Sequence, residues 1–471
     1  MREKVQPASR KPVASHTLKF IIGSLVGVFL FLVPLPTSFL QGLAPQVSMD
    51  GDFNIPLGFF IDVLGHVLGL PNINIASLLA LIFITVSFIG TVVTLLFKPK
   101  FIMGNEKLRE IFDTHIVYMI SRIAAFVFIV MVYFDFGPDF VIDDDTGGLM
   151  MYLITGLTSI FLVLAFAIPI LTEFGLMEFI GTLIRRVIRT LFTLPGRSAI
   201  DLAASWFGSS AVSVIITREQ HEKGFYTGRE AAAICVNFSF VSLPFSFVIA
   251  RTLGIQGHFF AWYLVICATC IILAVLTPRI WPLSRLPDTY LPNVGKQIDE
   301  DSEFGMSRVQ KAFNTASERA GRTSAKDLVF GGLKCYLDVF MDLFPVIMAW
   351  GTIALIVQEF TPVFDIISIP MQWFLGLLQV QGAETYASAT LVGFIDMFIP
   401  AMLLRGSDYV ETRFILGALS IVQIIYMAET GILILKSQMP LGIGKHFAVF
   451  MIRTILALPI IVFLTRLFIS F

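Results

Sequence analysis

Charge is what this chain has least of. Only 14% of its 471 residues are Asp, Glu, Lys or Arg, against roughly 25% in soluble domains, and 56% are hydrophobic. That balance excludes an ordinary soluble fold for most of the chain. Cysteine is sparse too: Cys235, Cys267, Cys270 and Cys335 lie in or beside apolar segments with no His nearby, so neither a disulfide framework nor a zinc site is expected. The six His are scattered, and the sequence has no Gly-x-x-x-x-Gly-Lys-[Ser/Thr], His-Glu-x-x-His or Gly-x-Ser-x-Gly. The first absence excludes a nucleotide-binding P-loop; the others leave no catalytic centre and no bound cofactor or metal to expect. A net charge of -1 and the lack of a basic face exclude nucleic acid as a partner.

What is present is a series of apolar runs long enough to cross a hydrocarbon core of about 30 Å. They are continuous and lack period-two alternation, which excludes a transmembrane barrel, so the fold class expected is an all-α polytopic membrane protein whose helices satisfy their own backbone groups in lipid. Spans are predicted at about 18–35, 73–97, 116–134, 149–171, 231–253, 258–277, 335–361, 414–435 and 446–470, nine crossings in all. Phe20 to Leu35 has a basic flank but no Ala-x-Ala-like site, and reads as an uncleaved first helix. Arg2, Lys4, Arg10, Lys11 and Lys19 place the N-terminus in the cytoplasm, and nine crossings then put the C-terminus outside. The stretch 36–72 holds no Lys or Arg, and 135–148 holds five Asp and no base; both read as external. The polar stretch 282–328 has balanced charge and too little apolar content for a core, so it reads as a partly helical cytoplasmic linker.

Two apolar regions, 196–217 and 382–404, do not count as crossings. Arginines flank the first on both sides (Arg185, Arg186, Arg189 and Arg197 before it, Arg218 and Arg229 after it), which calls for a re-entrant hairpin. Treating the second alike leaves Arg405 and Arg413 on the external side, against the charge rule. The surroundings repeat: Pro169-Ile-Leu-Thr-Glu-Phe-Gly175 matches Pro345-Val-Ile-Met-Ala-Trp-Gly351, and each copy continues with a connection, a hairpin opened by Gly (Gly196, Gly382), an Arg at its end, and two closing spans. The two copies start in opposite directions, giving inverted repeats of the secondary-transporter kind. The chain then divides into a three-span scaffold with an external interfacial helix (1–148), a first repeat (149–281), the linker (282–328) and a second repeat (329–471).

Ionisable groups at mid-membrane cost roughly 2.5–3.5 kcal/mol on insertion scales, so isolated ones call for a reason. Glu384 with Thr385 opens the second hairpin, Asp396 lies near its middle, and Glu429 with Thr430 precedes Gly431 inside the eighth span. Asn237, Ser239 and Ser242 ahead of Pro244 hold the matching place in the fifth. Two hairpin tips and two interrupted helices would meet at the midplane, where Ser209, Ser210, Asn237, Ser239, Glu384, Thr385, Glu429 and Thr430 bind a small polar solute and Glu384, Asp396 or Glu429 takes a coupling proton or sodium ion. Set against this, Ser209 and Ser210 are small residues of the kind that let helices pack closely. Asp201 reads as an ion-pair partner of Arg197, Asp338 and Asp342 as solvated at the cytoplasmic boundary, Glu173 and Glu178 as partners of nearby arginines, and Arg251 as a snorkelling side chain or an anion contact.

Gly196-Arg-Ser-Ala-Ile-Asp-Leu-Ala-Ala-Ser-Trp-Phe-Gly-Ser-Ser210, continued through Arg229-Glu-Ala-Ala-Ala233 to Asn237-Phe-Ser-Phe-Val-Ser-Leu-Pro244, closely resembles the YjiH family of bacterial inner-membrane proteins. The resemblance is full-length and most specific over 150–255. It implies a nucleoside-recognition Gate domain, shared with concentrative nucleoside transporters, the iron transporter FeoB and spore maturation proteins, and with it a multi-pass protein of the bacterial cytoplasmic membrane. Gly382-Ala-Glu-Thr385 is similar to a hairpin motif of the nucleoside transporters, with a different polar order and in the second hairpin. The function expected is secondary-active transport of a small polar metabolite, with nucleoside-like solutes foremost. The alternative is a non-transporting membrane subunit that scaffolds or regulates a second Gate-domain protein. Partners expected are the bilayer, the solute, a proton or sodium ion, and that second protein or another copy of this chain.

Overall fold

The computed structural model describes residues 14–47, 53–67, 74–114, 116–207, 210–291, 294, 307–435, 437 and 439–469. Apart from a two-residue antiparallel ladder pairing Leu35–Pro36 with Phe53–Asn54, it is built of helices. Five are long and apolar enough to cross a membrane: Ala14–Leu32, Ile75–Phe97, Gln256–Arg285, Ala325–Phe360 and Ile443–Phe468. Two bent pairs, Asp139–Thr158 with Ile160–Thr172 and Gly228–Phe238 with Leu243–Thr252, raise the number to seven if each is one span. The other two expected crossings, 116–134 and 414–435, fall on Ile116–Tyr133 and on a helix broken after Val422, neither of which counts among those five to seven.

Turn chemistry sets the corners. Gly175 has φ +88°, and a Cβ there would lie 2.4 Å from Ala316 O, so only glycine lets the helix Gly147–Thr172 turn sharply into the amphipathic helix Leu176–Val187. Thr227 and Glu230 form a capping box that starts Gly228–Phe238, and Ser324 with Asp327 does the same for Ala325–Asp338. The helix Arg308–Arg322 of the linker is docked: its Phe313 meets the Phe20 ring edge-on while Phe179 lies tilted against Phe20, and Arg319 pairs with Glu173 at 2.5 Å and Glu178 at 3.7 Å. Those glutamates therefore pair with the linker helix. Burial pushes the Glu178 carboxyl up, more than Arg319 draws it down.

Polar groups fasten the helices Asn74–Phe97 and Ile116–Tyr133 to the second half. Arg122, fully buried in Ile116–Tyr133, pairs with Asp342, Ser87 Oγ donates to Met341 O at 2.7 Å, and Trp350 Nε1 donates to Ser121 Oγ at 2.8 Å. Asp342, its side chain 40% exposed, is thus the ion-pair partner of a buried arginine; the side chain of Asp338 lies outside the described residues. At one end of the bundle Arg251 pairs with Asp62, Arg405 stacks on the Tyr152 ring at 4.5 Å and Arg413 Nη1 donates to Leu253 O at 2.7 Å. The two arginines that break the charge rule are therefore occupied, one on a π face and one at a helix C-terminus where the macrodipole favours a cation.

Candidate functional site

Two helices are interrupted inside the bundle. The first stops at Phe238 and resumes at Leu243. Pro244 has no N–H to offer the carbonyl four residues back, and that freed carbonyl, Phe240 O, accepts from Ser205 Oγ at 2.5 Å. Ser242 caps the restarted helix. Ser205 lies on Ser198–Phe207, which packs against Ser210–Glu222 to make a first helix pair.

The second helix stops at Val422 and resumes as a π-helical turn, Met427–Gly431, followed by Ile432–Leu435. Ile424 is held at φ +63°, a costly conformation for a β-branched residue. The surroundings over-determine it. Tyr426 Oη lies 2.9 Å from Ser420 O and 2.7 Å from Ile421 O and accepts from Ile424 N at 3.2 Å. Thr430 Oγ1 donates to Ile424 O at 3.0 Å, and Met427 N donates to Phe394 O at 2.9 Å. Phe394 belongs to the turn between Ala389–Val392 and Ile399–Leu404, the second helix pair.

The helix Ile443–Phe468 joins the two breaks. Arg453, fully buried, donates from Nη2 (2.8 Å) and Nε (3.2 Å) to Val422 O and from Nη1 to Asn237 Oδ1 at 2.7 Å. Asn237 Oδ1 also lies 2.6 Å from Thr277 Oγ1, while its Nδ2 donates to Ala233 O at 2.9 Å. Beside Arg453, Thr454 Oγ1 accepts from Gln423 Nε2 at 2.8 Å, and the same nitrogen donates to Thr390 O at 2.8 Å. Among the described residues the hydrogen-bond acceptors of Arg453 are a carbonyl and an amide oxygen; the C-terminal dipole of Val410–Val422 supplies the opposing charge. Each break keeps one buried oxygen with no hydrogen-bond partner: Ser239 Oγ on the first and Gln423 Oε1 on the second. Buried acceptors of this kind are costly unless a ligand or water meets them.

Of the expected site residues, Asn237, Ser239 and Thr430 belong to this junction. Ser210 is buried at the start of its helix, and Ser209 lies outside the described residues. Glu429 falls in the π-helical turn, with its side chain outside the described residues. Asp396 is buried and accepts from Phe398 N at 2.7 Å, shaping the turn of the second pair. Glu384 and Thr385 are exposed, in the helical turn Ala383–Tyr386, and are not brought to the junction. Gly382 at φ +65° opens that turn, and the chain reverses only at 393–398, so the tip is near Asp396. Arg466 binds the nearby carbonyls of Leu378 and Gln379, thirteen residues, about 20 Å, along the helix from Arg453. Asp201 accepts from Tyr226 Oη at 2.9 Å. Sequence reasoning overlooked Arg453, Gln423 and Tyr426. Arg453 had a signal: it is the one Lys or Arg between Lys445 and Arg466, an isolated base where only isolated acids were sought.

Fold and junction together define a multi-pass helical membrane protein with a Gate domain: the family description "Gate: Nucleoside recognition" matches residues 154–256, which take in the first helix pair and the first break and stop short of the second. The chain belongs to the same family as a protein of Alkalihalophilus pseudofirmus named uncharacterized protein BpOF4_10220, with which it is 42% identical over 458 residues, 96% of this chain and 95% of the other. No solved structure matches it.

Proposed function

We propose that this protein is a secondary-active transporter of a small polar metabolite of the nucleoside type, binding its solute between the two helix breaks. The observation that carries this reading is the pair of unpartnered buried oxygens, Ser239 Oγ and Gln423 Oε1, one on each break. Hydroxyls and the N–H groups of a nucleoside-like solute suit such acceptors. Packing supports it: Ser210–Glu222 of the first pair lies on Met427–Gly431 and Ile432–Leu435, and Ile399–Leu404 of the second lies on Leu243–Thr252. Each helix pair thus contacts the other half's broken helix, the reciprocity expected of inverted repeats carrying re-entrant hairpins in a bacterial inner-membrane protein of the YjiH kind. Without a P-loop the drive is an ion gradient. Asp396 and Glu429 are the coupling candidates by position; exposed Glu384 falls outside this core.

Uptake into proteoliposomes under an imposed proton or sodium gradient, across nucleosides, bases, amino acids and dipeptides, tests the reading. Accumulation of one solute class, lost in Asn237→Ala with Ser239→Ala, is expected. No accumulation under either gradient overturns it.

A further inference from the structure

Beside the first break is a cavity of about 160 Å³ that the solute site does not use. Its walls include Val187 and Leu191 of the amphipathic helix and its extension, Trp206 of the first helix pair, Phe240 of the break, Cys267 and Ala274 of Phe259–Leu276, and Ile421 of Val410–Val422. Trp206 Nε1 donates to Tyr263 Oη, so these two polar tips on the wall are spent on each other. An apolar cavity of this size stays dry and takes an apolar occupant. Its mouth is edged by exposed Val187, Leu191 and Ile271, between an interfacial helix and a spanning one, where the surroundings are acyl chains.

Charge marks the mouth. Arg186 and Arg189 are exposed on the amphipathic helix, within one turn of wall residues, and exposed Arg279 ends the helix that supplies Cys267 and Ala274. Ile188–Phe192 packs directly on that helix, so the three arginines lie on, or at the end of, the elements that edge the opening, with one Arg279 nitrogen donating to Val275 O. We propose that this groove is a binding site for an anionic phospholipid of that leaflet, with one acyl chain in the cavity and the phosphate at Arg186, Arg189 and Arg279. Because Phe240 forms part of the wall and its carbonyl is held by Ser205, the acyl chain packs against the break and supports its open shape. This site is independent of the transport reading.

The test uses the full chain in nanodiscs of phosphatidylcholine with a minor share of phosphatidylglycerol. Native mass spectrometry after gentle release is expected to show one retained phosphatidylglycerol per chain. Filling the cavity with Ala274→Phe should lower retention at least five-fold, while Arg186→Gln with Arg189→Gln and Arg279→Gln should keep a bound lipid and lose the preference for phosphatidylglycerol. Dibromo-acyl phosphatidylglycerol should quench the unsubstituted protein more than the dibromo phosphatidylcholine does, and Trp206→Phe should remove that excess, a readout that needs no cavity-filling variant. Absence of retained lipid together with equal quenching by the two lipids overturns the site. Retention of free fatty acid as readily as phospholipid overturns the headgroup assignment.

Discussion

At the first break the residues that end one half-helix and start the next are neighbours in sequence, whereas at the second the carbonyl of Val422 is bound by a side chain 31 residues further on. Pro244 deletes one N–H and Ser242 caps the restart, so the interruption itself is written locally; from outside, Ser205 holds Phe240 O, and Arg453 and Thr277 meet Asn237 one residue before the first half-helix ends. The second has no proline. It keeps Ile424 in a left-handed conformation through Tyr426 and Thr430 within the break and Arg453 outside it. A break of the first kind persists in any packing that leaves the helix ends intact; one of the second kind exists only while the closing helix is in place.

The sharpest way to break this contrast is Arg453→Met. Hydrogen bonds to charged groups are worth ~1.5–3 kcal/mol each, so amide exchange across 420–427 should rise by at least tenfold while that across 237–243 rises less; equal loss at both breaks would erase the distinction. Arg453→Lys should not restore protection, because an ammonium cannot reproduce the fork on Val422 O. Next in size is Tyr426→Phe, which strips the phenol from two carbonyls and an N–H at a cost of ~1–3 kcal/mol, read as a lower unfolding temperature with the helix content kept. The smallest effect belongs to Ser205→Ala, ~0.5–1.5 kcal/mol, since Ser242 and Pro244 still set the first break. If Ser205→Ala proves costlier than Tyr426→Phe, the first break is held from outside after all.

The same contrast explains what the sequence made legible. Helical spans follow from apolar run length, and the first break announces itself through Asn237, Ser239, Ser242 and Pro244. The second offers no such punctuation: Gln423 and Tyr426 look like ordinary members of an apolar run, and their roles exist only because Thr390, Thr454 and Arg453 arrive from other elements. Glu384 drew notice as an isolated acid, yet exposure at a helix end explains it without a ligand. In the sequence Asp342 shows no partner because Arg122 is 220 positions away, and Arg251 reads two ways because Asp62 lies 189 away. Local patterns show where polarity is; pairing is a property of the assembled bundle.

The Arg122–Asp342 pair also bears on what can slide. Pulling Ile116–Tyr133 away from Ala325–Phe360 would leave the buried Arg122 guanidinium without its carboxylate, a costly state for a buried charge, and would part Trp350 from Ser121. The early helices and the long helix of the second half therefore travel as one body. A disulfide between Ser121→Cys and Trp350→Cys should leave solute exchange unaffected. If the protein transports as proposed, a gap opening to either side of the membrane would run along the helix pairs and not along the seam between the two halves.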